Sequence, residues 1–270
     1  MGLFDGLKHL FNIGGATFEV ALEHDVQYQG STISGEITVT GGSISQDVNV
    51  LTIDLVEYWT ETRGHGKNRR TVTVTDVHAT EELEHHFTIE AGSSQVFQFT
   101  HQLPPTARLS TGRTGWRLVL NADVSGGIDP CHTTTLEVEP AAQILRVGDV
   151  LESRLRFSEQ VAKRHWYVGS RMTRMRFLPP ESIRPHLDYL QLELQLDYDG
   201  NLSGELRFDL QERSITDYLK AIINIDQRTL PVHIPSHLVD AEVTHEDEQE
   251  IALILTNQLE AALGDRVNQA

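Results

Sequence analysis

The stretch Glu23–Thr40, EHDVQYQGSTISGEITVT, decides how the whole chain is read. Tyr28-x-Gly30 marks a tight turn, because glycine takes backbone angles that a side chain resists. Past the turn, Ile33, Gly35, Ile37 and Val39 alternate with Ser34, Glu36, Thr38 and Thr40. A period of two over that length predicts a half-buried strand with one face on a core. Gly35 leaves a gap on the inner face, where a bend or a close backbone approach is expected. An antiparallel β-sandwich opens here.

Outward from this stretch, strand signals recur at the spacing of a sandwich. Thr17–Leu22 precedes it as a strand. Asn49–Trp59 is a long apolar strand with hydrophobic residues on both faces, Leu51, Ile53 and Leu55 against Val50, Val56 and Tyr58. Glu61–Arg70, ETRGHGKNRR, reads as a flexible hairpin loop carrying Arg63, Lys67, Arg69 and Arg70. Thr71–Thr75 is then one strand, and a second holds Leu83, His85, Phe87 and Ile89 on one face. Val96–His101, Trp116–Val124 and Thr133–Val138 complete the first domain, placed at residues 1–139. At the N-terminus Leu3, Phe4, Leu7, Leu10 and Phe11 fall on one face of a predicted short helix that ends near Gly14-Gly15.

Pro140 opens the second domain, residues 140–270, without a long linker. Ile144, Leu145, Val147, Leu151 and Leu155 predict a connecting helix over Ala141–Leu155, with Gly148 costing it about 1 kcal/mol relative to alanine. Arg156–Arg164 and Arg171–Phe177 read as strands. Leu190 to Tyr198 alternates without a fault, Asp199-Gly200-Asn201 turns the chain, and Leu202 to Leu210 alternates back, a clear hairpin. Ser214 with Asp217 reads as a capping box. Thr229–Ile234 is a further strand. Thr244 caps a last helix whose first turn is acidic and whose apolar stripe is Ile251, Ile254, Leu255, Leu259 and Ala262. That stripe has two candidate resting places, its own domain or a dimer partner.

Composition narrows the function. The 270 residues are 39% hydrophobic and 7% aromatic, with a formal net charge of −17 and a pI near 5.1. Such an acidic chain argues against non-specific binding to nucleic acid or to anionic membrane. Cys131 stands alone, which excludes an internal disulfide and points to an intracellular, cytoplasmic setting. No apolar run is long enough to span a bilayer. The N-terminal residues lack the apolar core and cleavage site of a signal peptide.

Catalytic constellations are missing. The sequence contains no HExxH, paired CxxC, GxxxxGK[ST] or GxSxG motif. Of thirteen histidines, His85-His86 with nearby His78 form the best metal cluster, yet neighbours on a strand point to opposite faces and cannot chelate together. We therefore expect no catalytic residues, no cofactor and no metal. Cys131 beside His132 reads as an inert thiol. Charge is uneven, however: Arg154, Arg156, Lys163, Arg164, Arg171, Arg174 and Arg176 surround Trp166 and Tyr167. Arg171, Arg174 and Arg176, with Arg63, Lys67, Arg69 and Arg70, are the candidate partner-binding residues, suited to an acidic partner, a phosphate group or a lipid headgroup. The solvated face of ordinary strands is the competing account.

Tyr28-x-Gly30-x-x-Ile33-x-Gly35-x-Ile37 resembles the early strand signature of arrestin-like N-terminal domains. Pro104-Pro105, Trp116-x-Leu118, Ala122–Val124 and Asp129-Pro130 resemble their closing segment. More narrowly, Leu7, Gly14-Gly15-Ala16, Val20 and Leu22-Glu23 resemble the SpoOM family of bacterial sporulation-control proteins, over about Leu3–Pro235. The chain departs from that pattern at Gln29, where proline is usual, and at Cys131-His132, where charged residues are. The resemblance implies two tandem arrestin-like β-sandwich domains and a non-catalytic regulator or adaptor that contacts other proteins, with a homodimer among the expected assemblies. The alternative is a peripheral membrane scaffold using the N-terminal helix and the basic stretches.

Overall fold

The computed structural model describes residues 8–13, 16–125, 131–160, 171–210, 227–240 and 244–267. The chain divides into two compact units, Met1–Glu139 and Pro140–Ala270. In the first, the nine described strands make two sheets. One is ordered β1 (Lys8–Ile13), β2 (Ala16–Leu22), β4 (Thr32–Thr40), β7 (Ser94–Gln102). The other is ordered β3 (Val26–Tyr28), β9 (Cys131–Glu139), β8 (Thr114–Val124), β5 (Gln46–Arg63), β6 (Arg70–Ile89). All pairs are antiparallel except β3 with β9, which run parallel over three residues.

The opening stretch folds as its pattern dictates. Gly30 takes φ +77°, and the Ser31 N–H donates to the Tyr28 carbonyl at 2.9 Å, closing the turn. Ile33, Ile37 and Val39 are fully buried on the inner face of β4, each contributing about 1.5–3 kcal/mol by leaving water. Gly35 is the close approach that its place on this face predicts. A Cβ there would meet the Ala21 carbonyl oxygen and, at 2.7 Å, the Phe99 ring.

Three readings of the first unit need correction. Residues 8–13, including Leu10 and Phe11, form strand β1 paired with β2, so that part of the chain is no helix. Leu3, Phe4 and Leu7 lie outside the described residues. The expected loop Glu61–Arg70 is shorter than its composition suggests: Glu61–Arg63 and Arg70 belong to the ladder, where Arg63 pairs with Arg70, and residues 64–69 turn the chain. Thr71–Thr75 and Leu83–Ile89 are parts of one twenty-residue strand, β6. They look separate because half-buried positions are even at Val72 and Val74 and odd at Ala79, Glu81 and Leu83. A register shift where Leu55 pairs with Ala79 and Val56 with Val77 leaves His78 as an extra residue and reverses the alternation.

In the second unit the described strands form one antiparallel sheet, ordered β10 (Ser158–Glu159), β11 (Thr173–Leu178), β12 (Leu187–Leu196), β13 (Leu202–Leu210), β14 (Gln227–Ile234). The connecting helix is α1 (Ala142–Ser153), and the last is α2 (His245–Val267). Of the expected strand Arg156–Arg164, only Ser158–Glu159 is a strand among residues 156–160, while residues 161–164 and the Ser214–Asp217 capping box lie outside the described residues. The β12–β13 hairpin turns at Gly200, φ +81°, with Asp197 Oδ1 accepting from the N–H groups of Asp199 and Asn201 at 2.9 and 2.8 Å. At the start of α2, Thr244 Oγ1 accepts from the Asp247 N–H at 3.3 Å while Asp247 Oδ2 accepts from the Thr244 N–H at 2.7 Å, a reciprocal cap. Ile251, Leu255, Ala262 and Leu263 then join one core with Leu190, Leu192, Leu194, Phe208 and Ile144. The stripe of α2 rests on its own unit.

Candidate functional site

The inner row of β5 runs Leu51, Ile53, Leu55 and then Glu57, all with no exposed surface. A carboxylate in a row built for leucine must be paired, since an isolated buried charge is prohibitively costly. Its partner comes from the segment between β7 and β8, where buried Ala107 and Leu109 anchor the chain on either side of Arg108. Arg108 NH1 donates to Glu57 Oε2 at 2.7 Å, and the Arg108 backbone N–H donates to Oε1 at 3.2 Å. The guanidinium also lies 4.2 Å from the Trp59 ring centroid. Trp116, opposite Glu57 on β8, donates its indole N–H to the Arg108 carbonyl at 2.7 Å. Glu57 is thus held in a fixed orientation by a segment that is itself fixed.

Two more groups reach this carboxylate from β6. Asp76 is the cross-strand partner of Glu57, and His78 is the extra residue of the bulge. The bulge sets the imidazole against Trp116, ring centroids 4.7 Å apart, with Nε2 3.3 Å from Glu57 Oε2 and 3.7 Å from Asp76 Oδ2. Beyond this cluster β5 and β6 continue as a two-stranded arm, because β8 pairs with β5 only as far as Trp59. Glu61 receives the Trp59 indole N–H at 2.8 Å and pairs with Arg63 at 3.1 Å, contacts that lower its pKa in that order. At the tip Gly64 and Gly66 take positive φ, and Arg63, Lys67, Arg69 and Arg70 are all exposed. Four cations of an acidic chain meet at one projecting end.

The family model described as SpoOM protein matches residues 4–201. The chain belongs to the SpoOM family. Among curated proteins, the sporulation-control protein spo0M of Bacillus subtilis (strain 168) is 27% identical over 257 residues, covering 93% of this chain and 98% of that one. The crystal structure of Spo0M from Bacillus subtilis matches with a TM-score of 0.59 at 23% identity, covering 93% of this chain and all of that one. That likeness establishes the shared, mainly β, arrestin-like fold.

In this SpoOM-family chain the second basic group is engaged differently from the first. Arg174 and Arg176 alternate on the polar face of β11. Arg174 NH2 lies 2.6 Å from Glu193 Oε1 on β12, a carboxylate that is itself buried. Arg207 Nε lies 3.3 Å from the same oxygen, and Gln191 donates to it at 2.7 Å. Arg176 stacks its guanidinium 3.5 Å from the Tyr189 ring centroid. Arg171 precedes the strand and is half-buried. Lys163, Arg164, Trp166 and Tyr167 lie outside the described residues, and Arg154 is bonded to Glu248 at 2.5 Å.

Sequence reasoning missed Glu57, Arg108 and Glu193. Glu57 was visible as the fourth member of the row Leu51-x-Ile53-x-Leu55-x-Glu57, a charge at a core position. Nothing local singles out Arg108. The histidine cluster also resolves: His85 is exposed beside Glu82, 3.0 Å away, His86 is exposed at φ 46°, and only His78 stands among other ligand-type groups. Cys131 is exposed. A further histidine, His101 on β7, is buried, and burial pushes its pKa down against the opposing pull of Glu81.

Proposed function

We propose that this protein is a non-catalytic regulator of the sporulation-control type that acts through protein–protein contact, with the β5–β6 arm as its docking element. The observation that supports it is the arm itself: a ribbon that outruns its sheet, with β6 at the sheet edge and four exposed cations at its tip. An edge strand offers unpaired backbone groups to a partner strand, and a basic tip steers an acidic partner toward it. Glu57, the most deeply buried carboxylate of this region, is already bonded to Arg108, which suits a structural part better than a proton-transfer one. The named role of the Bacillus subtilis relative supports regulation of cell development as the setting. The reading takes the protein to work in the cytoplasm, with other proteins as partners and a second copy of the chain among them. No described helix is long and apolar enough to cross a membrane.

The test is a pull-down from native lysate comparing wild type with the quadruple variant Arg63→Glu, Lys67→Glu, Arg69→Glu and Arg70→Glu. These side chains are exposed, so the variant is expected to fold. Loss of specific partners supports the arm as the docking element. An unchanged partner list removes it.

A further inference from the structure

We infer that Glu57, Asp76 and His78 form a binding site for a divalent transition-metal ion of the zinc class. Each offers one ligand atom, and the three atoms lie within 4.8 Å of one another. His78 Nε2 is 3.3 Å from Glu57 Oε2 and 3.7 Å from Asp76 Oδ2. Ligands about 2.0–2.1 Å from a tetrahedral ion stand roughly 3.3 Å apart, which matches the spacing of the imidazole from Glu57 and comes close to its spacing from Asp76. One imidazole with two carboxylates is the donor set that suits zinc, whereas magnesium and calcium take oxygen ligands alone.

The surroundings support a cation at this place. Arg108 bonds both carboxylate oxygens of Glu57, through its side chain to one and its backbone to the other, which is the orienting role that outer groups play around metal ligands. His78 is held on one side by the Trp116 ring, so its orientation is fixed before any ion arrives. The side chain of Asp76 is 57% exposed, whereas Glu57 is wholly buried, so the cluster joins a buried ligand to one at the surface. Three protein donors leave a fourth position for water or for a group on a partner.

The site is independent of the docking role proposed for the arm, and its test reads metal binding directly. Zinc chloride is titrated into the untagged full-length protein by calorimetry in a non-chelating buffer, with thermal unfolding followed in parallel. The expected result is one ion per chain, an upward shift in melting temperature, and at least tenfold weaker binding in both Asp76→Asn and His78→Gln (order of magnitude, by analogy with losses of supporting groups). The double variant His85→Gln/His86→Gln is expected to bind as the wild type does. Asp76 is exposed, so Asp76→Asn is expected to fold even if His78→Gln does not. Absence of saturable binding overturns the inference. So does binding that survives Asp76→Asn, or that is lost in the His85/His86 variant.

Discussion

Glu57 in the first unit and Glu193 in the second are both buried mid-strand carboxylates, yet their burial has different origins. Glu57 sits in the core-facing row of β5, in a slot that Leu51, Ile53 and Leu55 predict to be apolar. The guanidinium of Arg108 reaches it from an irregular segment fifty-one residues away. Glu193 sits in the polar row of β12, opposite the leucines, and two arginines of neighbouring strands, Arg174 and Arg207, flank it. The guanidinium on Glu57 therefore comes from far along the chain, whereas those on Glu193 come from the two adjacent strands. The first arrangement fixes the path of a connecting segment. The second braces a sheet face, where the arginine stems help cover the charge they neutralise.

The contrast predicts unequal losses. Arg108→Ala strands a wholly buried carboxylate and is expected to destabilise the first unit by about 3–5 kcal/mol, read by denaturant unfolding. Adding Glu57→Leu to Arg108→Leu should recover most of that loss, because matched apolar replacements remove the uncompensated charge. If Arg108→Ala costs less than about 1 kcal/mol, Glu57 does not depend on it. Arg174→Ala should cost only about 1 kcal/mol, since Arg207 and Gln191 remain on Glu193. Equal losses at the two arginines would erase the distinction.

The smallest effect separates the units by pH. His101 has its folded pKa lowered by burial, so as pH falls the unfolded chain takes up a proton first. Stability attributable to this ring is complete above the ordinary histidine range, near 6.5, and declines as pH drops from there to the folded pKa. His101→Phe should flatten that acid-side decline in the first unit, measured by unfolding between pH 5 and 7 (roughly the imidazole range). A slope unchanged by the substitution assigns it to other groups.

Strand β4 and the β12–β13 hairpin could be read from sequence because one side of each is apolar at every second residue, so burial and alternation agree. The buried glutamates could not be. Whether a polar residue on a strand is wet depends on what the chain brings to it later, and neither Arg108 nor the cover over Glu193 leaves a local trace. The arm shows the same limit. Its charges and glycines read as a loop, but backbone pairing, which is indifferent to them, carries the ladder on to Arg63 and Arg70. The N-terminal stripe was ambiguous for a related reason: Leu10 and Phe11 suit a helix face, but β2 offered an edge with which to pair.

His78 has one more consequence. Val77 faces Val56 and Ala79 faces Leu55, so the pairing of β6 with β5 steps over the histidine. Deleting it would close the ladder at this point, leaving the register shift between Leu51 and Thr52 in place. The residue is supernumerary to the architecture. A chain lacking it would lose the imidazole beside Glu57 while keeping the partners that β5 and β6 share on either side.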